Sequence, residues 1–258
     1  MTSSFNWYLY SLSLEFSHAL SLIISLSFWD LIYTQSAMWV ISNITSLPLL
    51  FLGKAIKKVF SGDRLEKLLH MYSPDELGNE LAMAPASGKL NFHSAYPGGY
   101  IDHVMNVATN AYKIKKMFES SGGHINFTDE ELLFAAFHHD LGKLGDGKEP
   151  YYLPQTSEWH QKNKKEVFTH NPKLQYFDVT DRAFWLLNQY GIKYTQKEQL
   201  GIHMADGLYN DATKKYFISY NEDFQVKTDL PYILHWADHM STRIENSEYR
   251  KSTGMYDN

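Results

Sequence analysis

The residues whose types and spacing could do chemistry centre on His139-Asp140, in the run Phe137-His138-His139-Asp140-Leu141-Gly142-Lys143, with His103 upstream and Asp238 far downstream. Adjacent His and Asp side chains can offer a ring nitrogen and a carboxylate to one metal ion. Distant His and Asp residues can complete the ligand set once helices pack. That pattern points to a metal-dependent hydrolase. The chain has no cysteine, which excludes disulfides and thiolate ligation, and its 12 histidines leave imidazole and carboxylate as the available ligands. Such ligands suit Mn, Fe, Zn, Co or Ni, with Mg also accessible. Absence of cysteine is compatible with a reducing cytoplasm.

The elements that must position these residues read as helices. Ile101, Val104, Met105, Ala108, Ala111, Tyr112 and Phe118 recur at helical spacing, and Gly122-Gly123 end that run. Thr128-Asp129-Glu130-Glu131 is a capping box, opening a helix that delivers His139 and Asp140 at its C-terminal end. Thr180-Asp181 opens a further helix that ends at Gly191, and Thr195-Gln196-Lys197-Glu198 caps one carrying Leu200 and His203. Pro231 fits the first turn of a helix that carries His235, Asp238 and Arg243. No β-rich alternation of useful length and no internal repeat is evident, so the expected fold class is all-α.

Composition divides the chain into a hydrophobic N-terminal extension, residues 1–60, and a domain over residues 61–258. The first part carries only Glu15, Asp30, Lys54, Lys57 and Lys58 as charges, against 21 Lys and Arg and 27 Asp and Glu in the second. The mildly acidic second part argues against broad, unspecific nucleic-acid binding through a basic surface. Leu31 to Leu52 is a stretch of 22 residues without a formal charge, long enough to cross a bilayer as a helix. Lys54, Lys57 and Lys58 follow, which would place the later domain in the cytoplasm. The extension therefore reads either as a membrane anchor or as a packed pair of apolar helices.

The order His103, His139-Asp140, Asp238 resembles the HD superfamily of metal-dependent phosphohydrolases over about residues 90–245. Phe92-His93-Ser94-Ala95-Tyr96-Pro97-Gly98-Gly99-Tyr100-Ile101-Asp102-His103 is similar to the His-His-Ala-Tyr-x-Gly-Gly-Leu-x-Glu-His motif of HD-domain 3′-to-5′ exoribonucleases, departing from it at Ser94 and Tyr100. His139-Asp140-Leu141-Gly142-Lys143 matches the family's His-Asp-x-Gly-Lys form, and Leu234-His235-Trp236-Ala237-Asp238 its Leu-x-x-Ala-Asp helix. The resemblance implies an all-helical bundle with its ligands facing the centre, and a role for Lys143 in reaching substrate phosphate. It also implies a second ion, because Thr169-His170-Asn171-Pro172 resembles the Thr-His-Pro segment of HD-GYP phosphodiesterases and His203 occupies a further ligand position. His103, His139, Asp140 and Asp238 would then hold one metal while Asp140, His170 and His203 hold the other. A hydroxide shared by two metals about 3.5–4 Å apart is a potent nucleophile toward phosphorus.

Two departures limit the substrate. Met204-Ala205-Asp206-Gly207-Leu208-Tyr209 follows His203 in place of the HD-GYP signature, and the chain has no room for the OB-fold that accompanies the exoribonuclease domain. The expectation is therefore a phosphohydrolase or phosphodiesterase acting on a nucleotide, cyclic nucleotide or short oligonucleotide. Its rivals are a mononuclear nucleotidase or dNTP hydrolase, and a nucleotide-sensing module without turnover.

Overall fold

Two capping boxes fix the starts of the helices that frame the site. Thr128 Oγ1 accepts from the Glu131 amide at 3.1 Å while Glu131 accepts from the Thr128 amide at 2.9 Å, and Thr195 and Glu198 repeat the exchange at 3.2 and 2.6 Å. Each box satisfies two N–H groups that a helix start would otherwise leave without partners. The structure is a computed structural model that describes residues 52–255. Its helices are α1 (Gly62–Met71), α2 (Gly78–Met83), α3 (Gly99–Ser120), α4 (Asp129–His138), α5 (Glu158–Lys164), α6 (Val179–Gln189), α7 (Gln196–His203), α8 (Asp211–Ile218) and α9 (Leu230–Ser252), with residues 52–59 also helical. The described residues are thus mostly helical, as the periodicity leads one to expect.

Helix α3 is the centre. It buries Tyr100, Ile101, Val104, Val107, Ala108 and Ala111 and packs against α2, α4 and α9. In α4 every residue from Leu132 to Phe137 is buried, so the helix is apolar all round because protein surrounds it. His103 meets Glu245 and Asn110 meets Ser241, so α3 and α9 run antiparallel across the middle of the bundle. Pro231 sits in the first turn of α9, where its missing N–H has no helical partner to lose.

Leu52, Ala55, Ile56 and Phe60 belong to the same core, with the Phe60 ring edge-on to Phe134 at 5.9 Å and to Phe137 at 6.3 Å. The apolar character of the sequence up to residue 60 therefore serves the bundle from residue 52 onward. The rest of the extension, including the stretch from Leu31 to Phe51, lies outside the described residues. Among the described residues, no helix is long and apolar enough to cross a membrane.

The sequence gives no warning of one feature, a two-stranded antiparallel hairpin of β1 (Tyr152–Pro154) and β2 (Phe168–His170), with Tyr152 paired to His170. Three-residue strands are too short for alternation to register.

Candidate metal centre

Four elements deliver the site. His103 lies in the first turns of α3, His139 caps the C-terminus of α4, Asp140 opens the 3₁₀ turn Leu141–Leu144 that carries Lys143, and Asp238 lies on α9. Gly142 lets that turn press against α6, since a Cβ there would stand 2.0 Å from the Val179 carbonyl oxygen. No other residue fits without displacing backbone, so the glycine in the His-Asp-x-Gly-Lys run sets where Lys143 can reach.

His103 Nε2 stands 3.6 Å from Asp140 Oδ2 and 3.2 Å from Asp238 Oδ1, and His139 Nε2 stands 3.6 and 3.9 Å from the same two atoms. Ligands about 2.0–2.2 Å from a common ion are separated by about 3.0–3.5 Å, so these four separations lie at or a few tenths of an ångström above what one ion requires. His139 Nε2 supplies an independent sign of fit, being buried with no hydrogen-bond partner among the described residues. An orphaned buried nitrogen costs free energy unless something occupies its lone pair, and a divalent cation would do so.

Both histidines are oriented through their other ring nitrogen. His139 Nδ1 lies 2.8 Å from the Ala136 carbonyl, an acceptor that requires an N–H on Nδ1 and leaves Nε2 for a ligand. His103 Nδ1 lies 3.2 Å from both oxygens of Glu245, which also accepts from Asn106 Nδ2 at 3.0 Å and Ser94 Oγ at 2.9 Å. Glu245 lies on the same face of α9 as Asp238, two turns further along. That seven-residue spacing was visible in the sequence, but its target on α3 was not.

The electrostatics follow from burial and these neighbours. Burial opposes a charge on His103, but Glu245 and Asp238 outweigh it and push its pKa up to about 10. Burial also opposes the charge on Asp140, yet the Lys143, His139 and His103 charges hold its carboxyl well below the usual range. Lys143 donates to Asp140 Oδ2 at 2.6 Å, and the carboxylate overcomes desolvation to hold the ammonium above the ordinary lysine range. The His93 ring lies 4.6 Å from the His103 ring, tilted at 41°, and burial, aided by the His103 charge, lowers its pKa to about 3, leaving a neutral imidazole. Buried His, Asp and Glu groups here could hold a metal ion, with His103, His139 and Asp140 forming one three-residue cluster and His93, His103 and Glu245 another.

His170 and His203 belong to neither of these clusters. His170 is exposed on β2, its ring 4.7 Å from Tyr151 and 5.5 Å from Tyr152, and His203 ends α7 with its ring 6.1 Å from Tyr216. Sequence reasoning also passed over Asp206, which feels the charges of Asp140, Lys143, Asp238 and His139. Burial, with Asp140 adding to it, raises the Asp206 carboxyl. Comparison of the chain with protein-family models, curated proteins and solved structures finds no match.

Proposed function

We propose that this chain is a metal-dependent phosphohydrolase of the HD type, acting on a nucleotide, cyclic nucleotide or short oligonucleotide. The observation that carries this reading is that His103 Nε2 and His139 Nε2 each lie within 3.9 Å of the Asp140 and Asp238 carboxylates, with the His139 Nε2 buried and without a hydrogen-bond partner among the described residues and a lysine at the edge. A divalent ion held there supplies Lewis acidity toward a phosphoryl oxygen and lowers the pKa of water.

The chain's own residues do the rest. Glu245 and the Ala136 carbonyl hold the two imidazoles so that each Nε2 faces the ligand position. Lys143, anchored to Asp140, presents an ammonium to the phosphoryl oxygens, where negative charge grows in the transition state. Burial of His103, His139 and Asp140 keeps bulk water from screening that charge. One ion is the simpler reading, because among the described residues His170 and His203 fall in neither cluster that could hold a metal.

The test is a hydrolysis screen over dNTPs, nucleoside monophosphates, cyclic dinucleotides and short oligonucleotides, each with Mn, Co, Ni, Zn, Fe and Mg. Turnover of one class that chelation abolishes and metal restores is the expected result. Metal-dependent binding without turnover of any class would move the chain to a nucleotide-sensing role.

A further inference from the structure

The 145–178 excursion is the one part of the described bundle that forms strands, and it is pinned on three sides beside the metal centre. At its start, Gly145 turns so tightly after Lys143 that a Cβ there would stand 3.0 Å from the Tyr151 nitrogen. The Tyr151 backbone is thereby returned to within two residues of the lysine. Along its edge, the amides of Val167 and Phe168 donate to the Gly88 carbonyl at 2.9 and 3.1 Å, and the Leu90 amide donates to the Lys165 carbonyl at 2.9 Å. These bonds tie the hairpin to the segment that leads into His93. At its far end, buried Arg182 on α6 sets its guanidinium 5.9 Å from the Tyr151 ring and 5.3 Å from the Phe177 ring, and donates to the Gln175 carbonyl at 2.6 Å. Arg182 forms no ion pair among the described residues, so these rings and that carbonyl are what it holds.

The pinned hairpin presents three rings together. Tyr151 lies 4.8 Å from Tyr152, and His170 is 4.7 Å from the first and 5.5 Å from the second, with the Tyr152–His170 contact fixed by their pairing across the strands. The Lys143 and Asp140 charges reach both phenols. An exposed imidazole and two half-buried phenols beside a phosphate-binding lysine combine a π surface with polar edges. Nucleobases stack on such surfaces, and a base tethered by a sugar to a phosphate at Lys143 would reach one close by.

We propose that Tyr151, Tyr152 and His170 form the nucleobase subsite of this enzyme, with His170 serving as a stacking residue and not as a metal ligand. The proposal rests on the phosphohydrolase reading for the phosphate end of the ligand and on the hairpin geometry for the base end.

Three probes separate the two ends: AMP, ribose 5-phosphate, which lacks the base, and adenosine, which lacks the phosphate. Binding of each is measured by calorimetry on the full chain with Mn present, for wild type, His170→Ala, His170→Phe and Tyr151→Leu. AMP is expected to bind at least about tenfold more tightly than ribose 5-phosphate, and His170→Ala to remove most of that advantage while leaving ribose 5-phosphate unchanged. His170→Phe keeps a ring but cannot ligate, so it should retain the advantage. Equal affinity of AMP and ribose 5-phosphate in wild type would overturn the subsite, as would a His170→Phe variant that behaves like His170→Ala. Adenosine binding that depends on His170, with ribose 5-phosphate binding nowhere, would support the subsite and remove the phosphohydrolase reading instead.

Discussion

Replacing Glu245 by Gln tests whether the carboxylate behind His103 sets the affinity of the metal centre. Glu245 is 9% exposed in its side chain, and both of its oxygens lie 3.2 Å from His103 Nδ1. It also accepts from Asn106 and Ser94, so each of its partners donates to it. A glutamine keeps the shape and one acceptor but turns an NH₂ group toward two donors, His103 Nδ1 and either Asn106 Nδ2 or Ser94 Oγ, and removes the charge. Groups that orient a metal-ligating imidazole are worth about 10- to 100-fold in affinity, or about 1.4–2.7 kcal/mol. The loss should fall in the upper half of that range, because the site is buried and the charge is removed within hydrogen-bond distance of the ring. Competition of purified protein against a fluorescent zinc chelator measures it, with Ser94→Ala, which removes a donor and leaves the charge, expected to lose less than about threefold. An affinity for Glu245→Gln within about twofold of wild type would refute the argument that Glu245 orients His103.

Lys143→Ala should retain its metal, whose ligands are on other residues, yet lose turnover by about 100-fold or more; single-turnover kinetics with metal analysis of the same sample checks both halves. Arg64 pairs with Glu198, whose side chain is fully buried, at 2.7 Å and lies over the Phe134 ring at 3.8 Å, so Arg64→Ala should cost about 3–5 kcal/mol near neutral pH in denaturant unfolding. Burial, partly offset by Arg64, raises the Glu198 pKa in the fold, so its protonated form stabilises the fold below the ordinary glutamate range and that contribution is lost as pH rises through the raised pKa. Without Arg64 that loss is larger, so the gap between variant and wild type should widen from pH 4.5 to pH 7.5, and a gap that is constant or narrows with pH would contradict the assignment. A chain beginning at Ser61 loses Leu52, Ile56 and Phe60 from the core, about 5–9 kcal/mol of burial, and should fail to give a cooperative melt, whereas one beginning at residue 50 should melt cooperatively.

The extent to which the sequence discloses this protein varies with the physical signal. The helix that leads to His139 and the helix that ends at His203 could be read because their N-termini carry capping boxes, a local interaction within four residues. His103 and Asp238 could be placed on helices by periodicity, and the helices bring them to His139 and Asp140. Glu245 and His93 went unassigned because their significance lies in the antiparallel contact of α3 with the 238–245 face of α9 and in the fold of the segment before Gly98, which are long-range facts. The hairpin was invisible because its strands are three residues long and its stability comes from Gly88, Lys165 and Arg182, not from a repeating pattern. Residue 60 marks a change in charge density but no boundary in packing, since Phe60 sits between Phe134 and Phe137.

The central claim is that His103, His139, Asp140 and Asp238 hold a catalytic metal, and the most direct test is the metal content of purified wild-type, Asp140→Ala, His170→Ala and His203→Ala proteins, measured by plasma mass spectrometry after equilibration with Mn or Zn and removal of excess ion. About one ion per chain is predicted in wild type and in both histidine variants, and close to none in Asp140→Ala, with hydrolysis lost in step. Asp140→Ala protein that keeps the wild-type metal content and turnover would contradict the account.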